Sequence, residues 1–184
     1  MNGLIARETV VPYHLKYNYR NTANIINITK KLTKLNPGEV HGNPKGLGIE
    51  MFRIPYSEKS PDFDKYAAQI SKVINSLFEE GFEPKDIMII TLNALQRSTL
   101  SDKNVSKIKI KNGIKLAVPQ NIDWSKDLNS QGIMYGSPYI LKGIDSRVVV
   151  CVDYYDADKQ KEALVSLTRA RSRLIIFTGK SIKV

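Results

Sequence analysis

Apolar positions recur at helical spacing in two long stretches of the chain. The first covers residues 21–35 and ends at Asn36-Pro37-Gly38, a sequence that stops helices. The second covers residues 62–80, and Gly81 stands where a helix C-terminal cap belongs. Each stretch has one apolar stripe and one polar face, which predicts an amphipathic helix packed against a core. The stripes are formed by Ile25, Ile26, Ile28 and Leu32, and by Phe63, Tyr66, Ala67, Ile70, Val73, Ile74, Leu77 and Phe78.

Shorter apolar runs have the length and composition of β-strands. Residues 49–54 alternate apolar with polar side chains, whereas residues 87–90 are apolar throughout, which is typical of a parallel strand covered on both faces. Strands are also predicted at 133–135, 147–153 and 174–178, a helix at 159–169, and an extended conformation at 1–15. Because strands alternate with helices, the pattern predicts an α/β fold with a mainly parallel sheet and helices on both faces.

A different alternation occupies the middle of the chain. Apolar residues alternate with lysines over 107–111, Asn112-Gly113 follows, and Ile114, Leu116 and Val118 continue the alternation. An Asn-Gly pair in this position predicts a β-hairpin with a type I′ turn, which we place at residues 104–120. Its lysine-rich face has two interpretations: protection of an edge strand against sheet pairing, or contact with DNA.

Composition narrows the class of protein. The chain has 28 basic and 18 acidic residues, a net charge of +10, which favours an anionic partner such as nucleic acid or nucleotide phosphates. No apolar run approaches the roughly 20 residues of a transmembrane helix, and the first residues lack the apolar segment of a signal peptide. The one cysteine, Cys151, cannot form an intramolecular disulfide, so we expect a cytoplasmic protein. Two histidines and one cysteine give no metal-ligand spacing.

Three segments carry motifs in a fixed order. They are LKYNYRNTANII at 15–26, SPYILKGID at 137–145 and ALVSLTRARSRLII at 163–176. Together they resemble the motifs of the second motor domain of UvrD/Rep/PcrA-type superfamily 1 DNA helicases, and PKDIMIITLNALQRSTL is similar to the family's stretch between the first two. The resemblance covers most of the chain. It implies one RecA-like domain of the P-loop NTPase class over residues 1–184, the C-terminal helicase domain of a larger protein.

The resemblance implies that two arginines act on ATP. Arg20 and Arg169 match the family's arginines that reach the γ-phosphate held by the other motor domain. Arginine suits this task because it is always protonated and offers a planar fork of donors, and an arginine supplied across an interface can accelerate hydrolysis by about 10³–10⁵. Arg20 could instead brace the following helix. Arg171 and Arg173 are interpreted as an exposed basic helix end that complements the helix dipole.

Further positions match the family's contacts to nucleotide. Tyr19 matches an aromatic residue that stacks on adenine, and Lys142 and Gly143 match a lysine-glycine pair beside the phosphates. Asp145 stands where the family has a glutamate that accepts from the ribose hydroxyl, and its side chain is one methylene shorter.

Two positions match the family's neighbours of single-stranded DNA. Ser137 and Tyr139 replace the usual threonine and histidine, and a tyrosine at this point can stack on a base. The resemblance therefore implies a 3′→5′ translocase with single-stranded DNA as a partner.

The sequence lacks the motifs with which such a motor holds ATP and Mg²⁺. There is no G-x-x-x-x-G-K-[ST] motif and no acidic pair suited to holding Mg²⁺. We therefore expect no ATP hydrolysis by this chain alone. ATP with Mg²⁺ would be held mainly by an N-terminal RecA-like domain of the same parent protein, expected upstream of Met1. Two alternatives stay open: a non-catalytic helicase-like module that binds nucleic acid, and an unrelated α/β enzyme with a self-contained nucleophile or acid–base pair.

Overall fold

Six strands form one sheet at the centre of the protein. The computed structural model describes residues 16–53, 63–154 and 159–178. The strands are β1 (Ile49–Arg53), β2 (Ile87–Thr91), β3 (Leu116–Ala117), β4 (Ile133–Gly136), β5 (Ser146–Tyr154) and β6 (Ala170–Thr178). Their spatial order is β1-β6-β5-β2-β4-β3, and every pairing between neighbours is parallel. The predicted α/β, RecA-like fold with a parallel sheet is confirmed. The extended segment predicted at 1–15 lies outside the described residues.

Helices cover both faces of this sheet. They are α1 (Ala23–Thr33), α2 (Phe63–Glu79), the short α3 (Asp102–Val105) and α4 (Leu128–Gln131), and α5 (Gln160–Leu167). Alternate residues of β2 point to opposite faces, as a strand requires. Ile87 and Ile89 pack with the apolar stripe of α2, whereas Met88 and Ile90 pack on the side of α1 and α5. A continuous apolar run is therefore needed in β2, and all five of its residues are buried.

Helix α2 follows from its sequence with little ambiguity. Its apolar residues at helical spacing, among them Ile70 and Ile74 at 0% exposure, all face the sheet. Burial of each such side chain contributes about 1.5–3 kcal/mol to stability. Gly81 ends the segment with φ +88°, a conformation that favours glycine.

The prediction of a β-hairpin at residues 104–120 is wrong. Asn112 has φ +60°, but it lies in a single 3₁₀ turn, Lys111–Gly113, and the segments on either side of this turn do not pair with each other. The second segment contributes β3, which pairs in parallel with β4 at the edge of the sheet.

The first segment of the expected hairpin bonds to α2 instead. The backbone N–H of Lys109 donates to Ser71 Oγ at 2.9 Å, and that of Lys111 donates to Asn75 Oδ1 at 2.9 Å. Ile108 is buried in the same core cluster as α2. The apolar alternation therefore serves packing on a helix, because polar side chains of α2 satisfy the backbone groups that a partner strand would have satisfied.

Chain connections place each loop at one of two edges of the sheet. Since all strands are parallel, loops that enter strands lie at the amino edge and loops that leave strands lie at the carboxyl edge. The turns before β5 and β6 are therefore neighbours at the amino edge.

In the described ranges, no helix combines the length and apolarity that a membrane crossing requires.

Candidate functional site

Two asparagines shape the segment that precedes α1. Asn18 Oδ1 accepts from the backbone N–H of Arg20 at 3.0 Å and from that of Asn21 at 3.1 Å. The Asn18 amide donates to Asn21 Oδ1 at 2.8 Å. In this turn both asparagine side chains are hydrogen-bonded and Asn21 is buried, whereas Tyr19 is 71% exposed. The local sequence Asn-Tyr-Arg-Asn therefore folds so that its tyrosine and arginine point outward.

A third asparagine closes the same turn from the following loop. The side-chain amide of Asn43 donates to the backbone oxygens of Asn18 at 2.5 Å and Asn21 at 2.9 Å. Asn43 Oδ1 accepts from the backbone N–H of His41 at 2.7 Å. These bonds hold residues 41–43 against the turn and bring the His41 ring onto Tyr17, with ring centroids 4.4 Å apart.

The loop also occupies the N-terminus of α1. The backbone N–H of Ala23 donates to Pro44 O at 2.9 Å, and that of Asn24 donates to Lys45 O at 3.2 Å. Open helix N-termini attract phosphates because their first N–H groups have no intrahelical partner. Here two of those groups are already bound to carbonyl oxygens.

Asn21 joins this segment to the third motif. Its side-chain amide donates to the carbonyl oxygens of Thr168 at 2.8 Å and Ala170 at 2.5 Å, which flank Arg169. The Arg169 carbonyl accepts from the backbone N–H of Ser146 at 3.0 Å. The three motifs found in the sequence therefore meet at the amino edge of the sheet, where β5 and β6 begin.

The side chains at this junction converge on one carboxylate. Arg20 Nε lies 3.4 Å from Asp145 Oδ2, and Arg169 Nη1 lies 3.2 Å from Asp145 Oδ1. Arg171 Nη2 lies 3.7 Å from Asp145 Oδ2. The side chains of Asp145 and Arg169 are 13% and 16% exposed, whereas those of Arg20 and Arg171 are 54% and 61% exposed. The two sequence-predicted arginines are thus brought together with Asp145, and a third arginine joins them.

The interpretation of Arg171 and Arg173 as a basic helix end is wrong. Helix α5 ends at Leu167, and both arginines lie in β6. A β-bulge lies between Ala170 and Arg173, and the two arginines have different partners. Arg173 pairs with Glu50 and Glu80, and so joins β6 to β1 and to the end of α2.

A cavity opens beside this cluster. Its volume is about 550 Å³, and residues 17–21, the turn at 36–38 and one side of α5 line it. Small-molecule sites commonly measure about 300–1,000 Å³. Tyr19 is part of its wall, and the ring of Tyr19 meets that of His41 edge to face, with centroids 6.1 Å apart. The cavity therefore lies in the size range of small-molecule sites and has an aromatic residue in its wall next to Arg20.

The second motif spans the sheet from edge to edge. Ser137 follows β4 at the carboxyl edge, and Asp145 precedes β5 at the amino edge. Ser137 is buried, whereas Tyr139 is 78% exposed. Lys142 and Gly143 lie exposed in the turn between these points, where Gly143 has φ +84°. The structure therefore separates Ser137 and Tyr139 from the arginine cluster and places Lys142 and Gly143 between the two groups.

A second polar cluster, which the sequence did not suggest, lies at the carboxyl edge. Asp153 has φ +60° and is 3% exposed. Its carboxylate accepts from the hydroxyls of Thr91, Ser98 and Thr99, each at 2.6 Å, and from the Thr99 backbone N–H at 3.2 Å. These bonds hold the loop after β2 against the end of β5. An acidic residue at the end of an apolar strand was the one sequence feature that could have indicated this cluster.

Two observations on the described residues concern metal binding and the single cysteine. No group of three or more His, Cys, Asp or Glu side chains there could hold a metal ion. Cys151 is fully buried in β5, and burial raises the pKa of its thiol. A thiol with a raised pKa is a poor nucleophile at neutral pH.

Comparison with known proteins supports the fold. Neither a protein-family model nor a curated protein sequence matches the chain. Among solved structures, the chain is similar to the C-terminal domain of a possible DNA helicase from Lactobacillus plantarum WCFS1. The TM-score is 0.57 and the sequence identity 16%, over 90% of this chain and 89% of that one. At this identity the likeness is one of fold, and the chain therefore shares the fold of that helicase C-terminal domain.

Proposed function

We propose that this chain is the C-terminal motor half of a cytoplasmic, UvrD-type ATP-dependent DNA helicase or translocase with 3′→5′ polarity. The observation that carries the proposal is the meeting of Arg20 and Arg169 at Asp145, from opposite ends of the sequence. The fold that the chain shares with a domain of a possible DNA helicase supports it.

In this proposal the two arginines stabilise the charge that develops on the γ-phosphoryl group of ATP. Both guanidinium groups lie within 3.4 Å of the same carboxylate, so one anion can contact both of them. Preorganised positive charge of this kind lowers the barrier because it is already oriented before the reaction. The backbone of Arg169 is held on both sides, whereas the Arg20 side chain is half exposed and accessible to a ligand from solvent.

The cavity beside the arginines suits the rest of the nucleotide. Tyr19 would stack on the adenine base, and its exposed ring and position in the cavity wall fit that role. Lys142 and Gly143 would lie beside the phosphates, and Asp145 would accept from the ribose hydroxyl. The exposed face formed by Tyr19 and Arg20 is suited to the N-terminal motor domain, which would supply the P-loop and hold Mg²⁺.

Single-stranded DNA would bind at the opposite edge of the sheet. Tyr139 is 78% exposed there and offers a ring on which a base can stack. Ser137, which is buried, follows directly after β4 in the same segment. Contacts to the phosphate backbone would supply most of the affinity, so binding would be salt-sensitive and indifferent to sequence. Closure around ATP at one edge would then move the strand held at the other edge.

The test is DNA-stimulated ATP hydrolysis by the full-length parent protein. We expect Arg169→Ala to lower the rate by about a hundredfold or more while ATP binding is largely kept, because the lost group acts on the transition state. Lys72→Ala removes an equally charged, exposed side chain in the middle of α2 and should hydrolyse ATP like the wild type. If Arg169→Ala and the wild type are equally active, or neither hydrolyses ATP, the chain is a nucleic-acid-binding module and the motor proposal fails.

A further inference from the structure

Arg171 extends the arginine pair to a group of three. It is the second residue of β6, two positions after Arg169, and its guanidinium lies 3.7 Å from the same oxygen of Asp145 that faces Arg20. The family resemblance assigns no role to this arginine. Its side chain is 61% exposed, so it borders the cluster on the solvent side.

The charges of this group do not balance. Three guanidinium groups and one carboxylate give it a net charge of +2. A structural ion pair needs one cation for each carboxylate, and additional cations at the same anion repel one another. Exposed ion pairs also contribute only about 0–1 kcal/mol to stability. Packing accounts for the largely buried Arg169–Asp145 pair but gives no reason for the two more exposed arginines, whereas an anionic ligand with several charges does.

We propose that Arg20, Arg169 and Arg171 form one polyphosphate-binding site, in which the Asp145 carboxylate occupies the arginines until a polyphosphate displaces it. This inference rests on the site of the proposed function and adds to it a third ligand residue and a resting occupant.

The exposure of the four side chains supports displacement of Asp145 by a ligand that enters from solvent. Asp145 and Arg169 lie at the base, at 13% and 16% exposure, and Arg20 and Arg171 form the rim, both more than half exposed. A ligand from solvent meets the rim arginines first, each with donors that fit a phosphate as well as a carboxylate. The two rim arginines share one oxygen, Asp145 Oδ2, at 3.4 Å and 3.7 Å. A polyphosphate offers each of them an oxygen of its own.

Two backbone N–H groups near the site are not available to bind a phosphate. The first N–H groups of α1 are bound to the carbonyls of Pro44 and Lys45, so the helix nearest to Arg20 offers no free amide cradle at those positions. With these two amides occupied, side-chain donors carry most of the affinity for phosphate, and the removal of any one of the three guanidinium groups should be measurable.

The experiment is titration calorimetry of this 184-residue chain with inorganic tripolyphosphate at fixed ionic strength. We expect Arg171→Ala to weaken binding by about tenfold, the effect of a lost hydrogen bond between charged groups. Asp145→Asn should tighten binding by about fivefold, since the competing charge is gone. Arg53→Ala, which removes the same charge elsewhere on the surface, should bind like the wild type.

The inference is overturned if Arg171→Ala binds tripolyphosphate as well as the wild type, or if Asp145→Asn binds no more tightly. Circular dichroism melting checks that each variant is folded, and Arg171→Lys, which keeps the charge, should recover part of the lost affinity if the alanine variant is too unstable to interpret. Binding of tripolyphosphate without ATP hydrolysis by the parent protein would leave this site standing and remove the motor function. Hydrolysis without tripolyphosphate binding by the chain would do the reverse.

Discussion

The side-chain amide of Asn21 holds Arg169 by the backbone, because it donates to the carbonyl oxygens on both sides of that arginine, at 2.8 Å and 2.5 Å. Asn21 also follows Arg20 directly, and Asn18 and Asn43 fix its own backbone. One buried amide thus sets the distance between two arginines that belong to different motifs. The position of the arginine pair depends on hydrogen bonds that neither arginine makes itself.

Replacement of Asn21 by alanine should therefore destabilise the fold. The change leaves the Thr168 and Ala170 carbonyls without their donor in a site where Asn21 is 2% exposed. Lost hydrogen bonds with a buried group left unsatisfied cost about 2–4 kcal/mol in free energy of unfolding. Urea denaturation of the chain measures this directly. Asn121→Ala, at an exposed asparagine, should change the free energy of unfolding by less than about 0.5 kcal/mol. Equal effects of the two variants would show that the hydrogen bonds of Asn21 do not stabilise this junction.

Two glycines of the loop that closes over α1 offer a matched comparison. Gly46 has φ +85°, and a Cβ there would lie 2.3 Å from Thr22 Oγ1 at the start of the helix. Gly42 has φ +67°, and a Cβ there would meet nothing within 4 Å. We expect Gly42→Ala to cost about 1–2 kcal/mol from backbone conformation alone. Gly46→Ala should cost clearly more, since it adds a steric clash.

Thermal or urea unfolding of the two glycine variants separates conformational strain from the clash. If both variants lose the same stability, the loop is able to move away from Thr22, and the closed N-terminus of α1 described above is not firmly held. If Gly46→Ala is the weaker of the two effects, the packing of this loop is different in solution.

Stability at alkaline pH should depend on Tyr154. Burial at the end of β5 raises the pKa of its phenol to about 12, above the usual value of 10. A group whose pKa is raised by folding contributes stability below its unfolded pKa and loses that contribution as the pH rises through its folded pKa. The free energy of unfolding should therefore fall between pH 10 and 12.

Tyr154→Phe provides the control for this pH dependence. The phenylalanine variant keeps the ring and loses the hydroxyl, which donates to Leu32 O at 3.3 Å. Unfolding measured at several pH values should show a smaller decline between pH 10 and 12 for this variant than for the wild type. An identical decline would mean that other groups cause the alkaline loss of stability.

Sequence patterns predicted the elements that need only an apolar surface to pack against. The apolar stripe of α2 and the covered strand β2 need only a core to pack against, so their periodicity was sufficient. The hairpin failed because its first segment found specific partners in Ser71 and Asn75, about 40 positions earlier. No local pattern reveals that a helix will compete with a strand for the same backbone groups.

Some residues of the candidate site were predictable from the sequence and others were not. The motifs indicated Arg20, Arg169 and Asp145, because each stands at a motif position in the sequence. They did not indicate the role of Asn21, whose bond to Thr168 spans 147 positions. The prediction that Arg171 belongs to a helix end is wrong by four residues, since α5 ends at Leu167, and an error of this size is usual for helix ends predicted from sequence.

The closed N-terminus of α1 has a consequence for the motions that the proposed anion site would use. Backbone amides in a loop move with that loop, on nanoseconds to microseconds, whereas exposed side chains change rotamer in picoseconds to nanoseconds. The first amides of α1 are already bound to Pro44 and Lys45, so the proposed site would hold its ligand through arginine side chains, two of them more than half exposed. Its contacts to an anion would then form and break by rotamer changes, without movement of the backbone of α1.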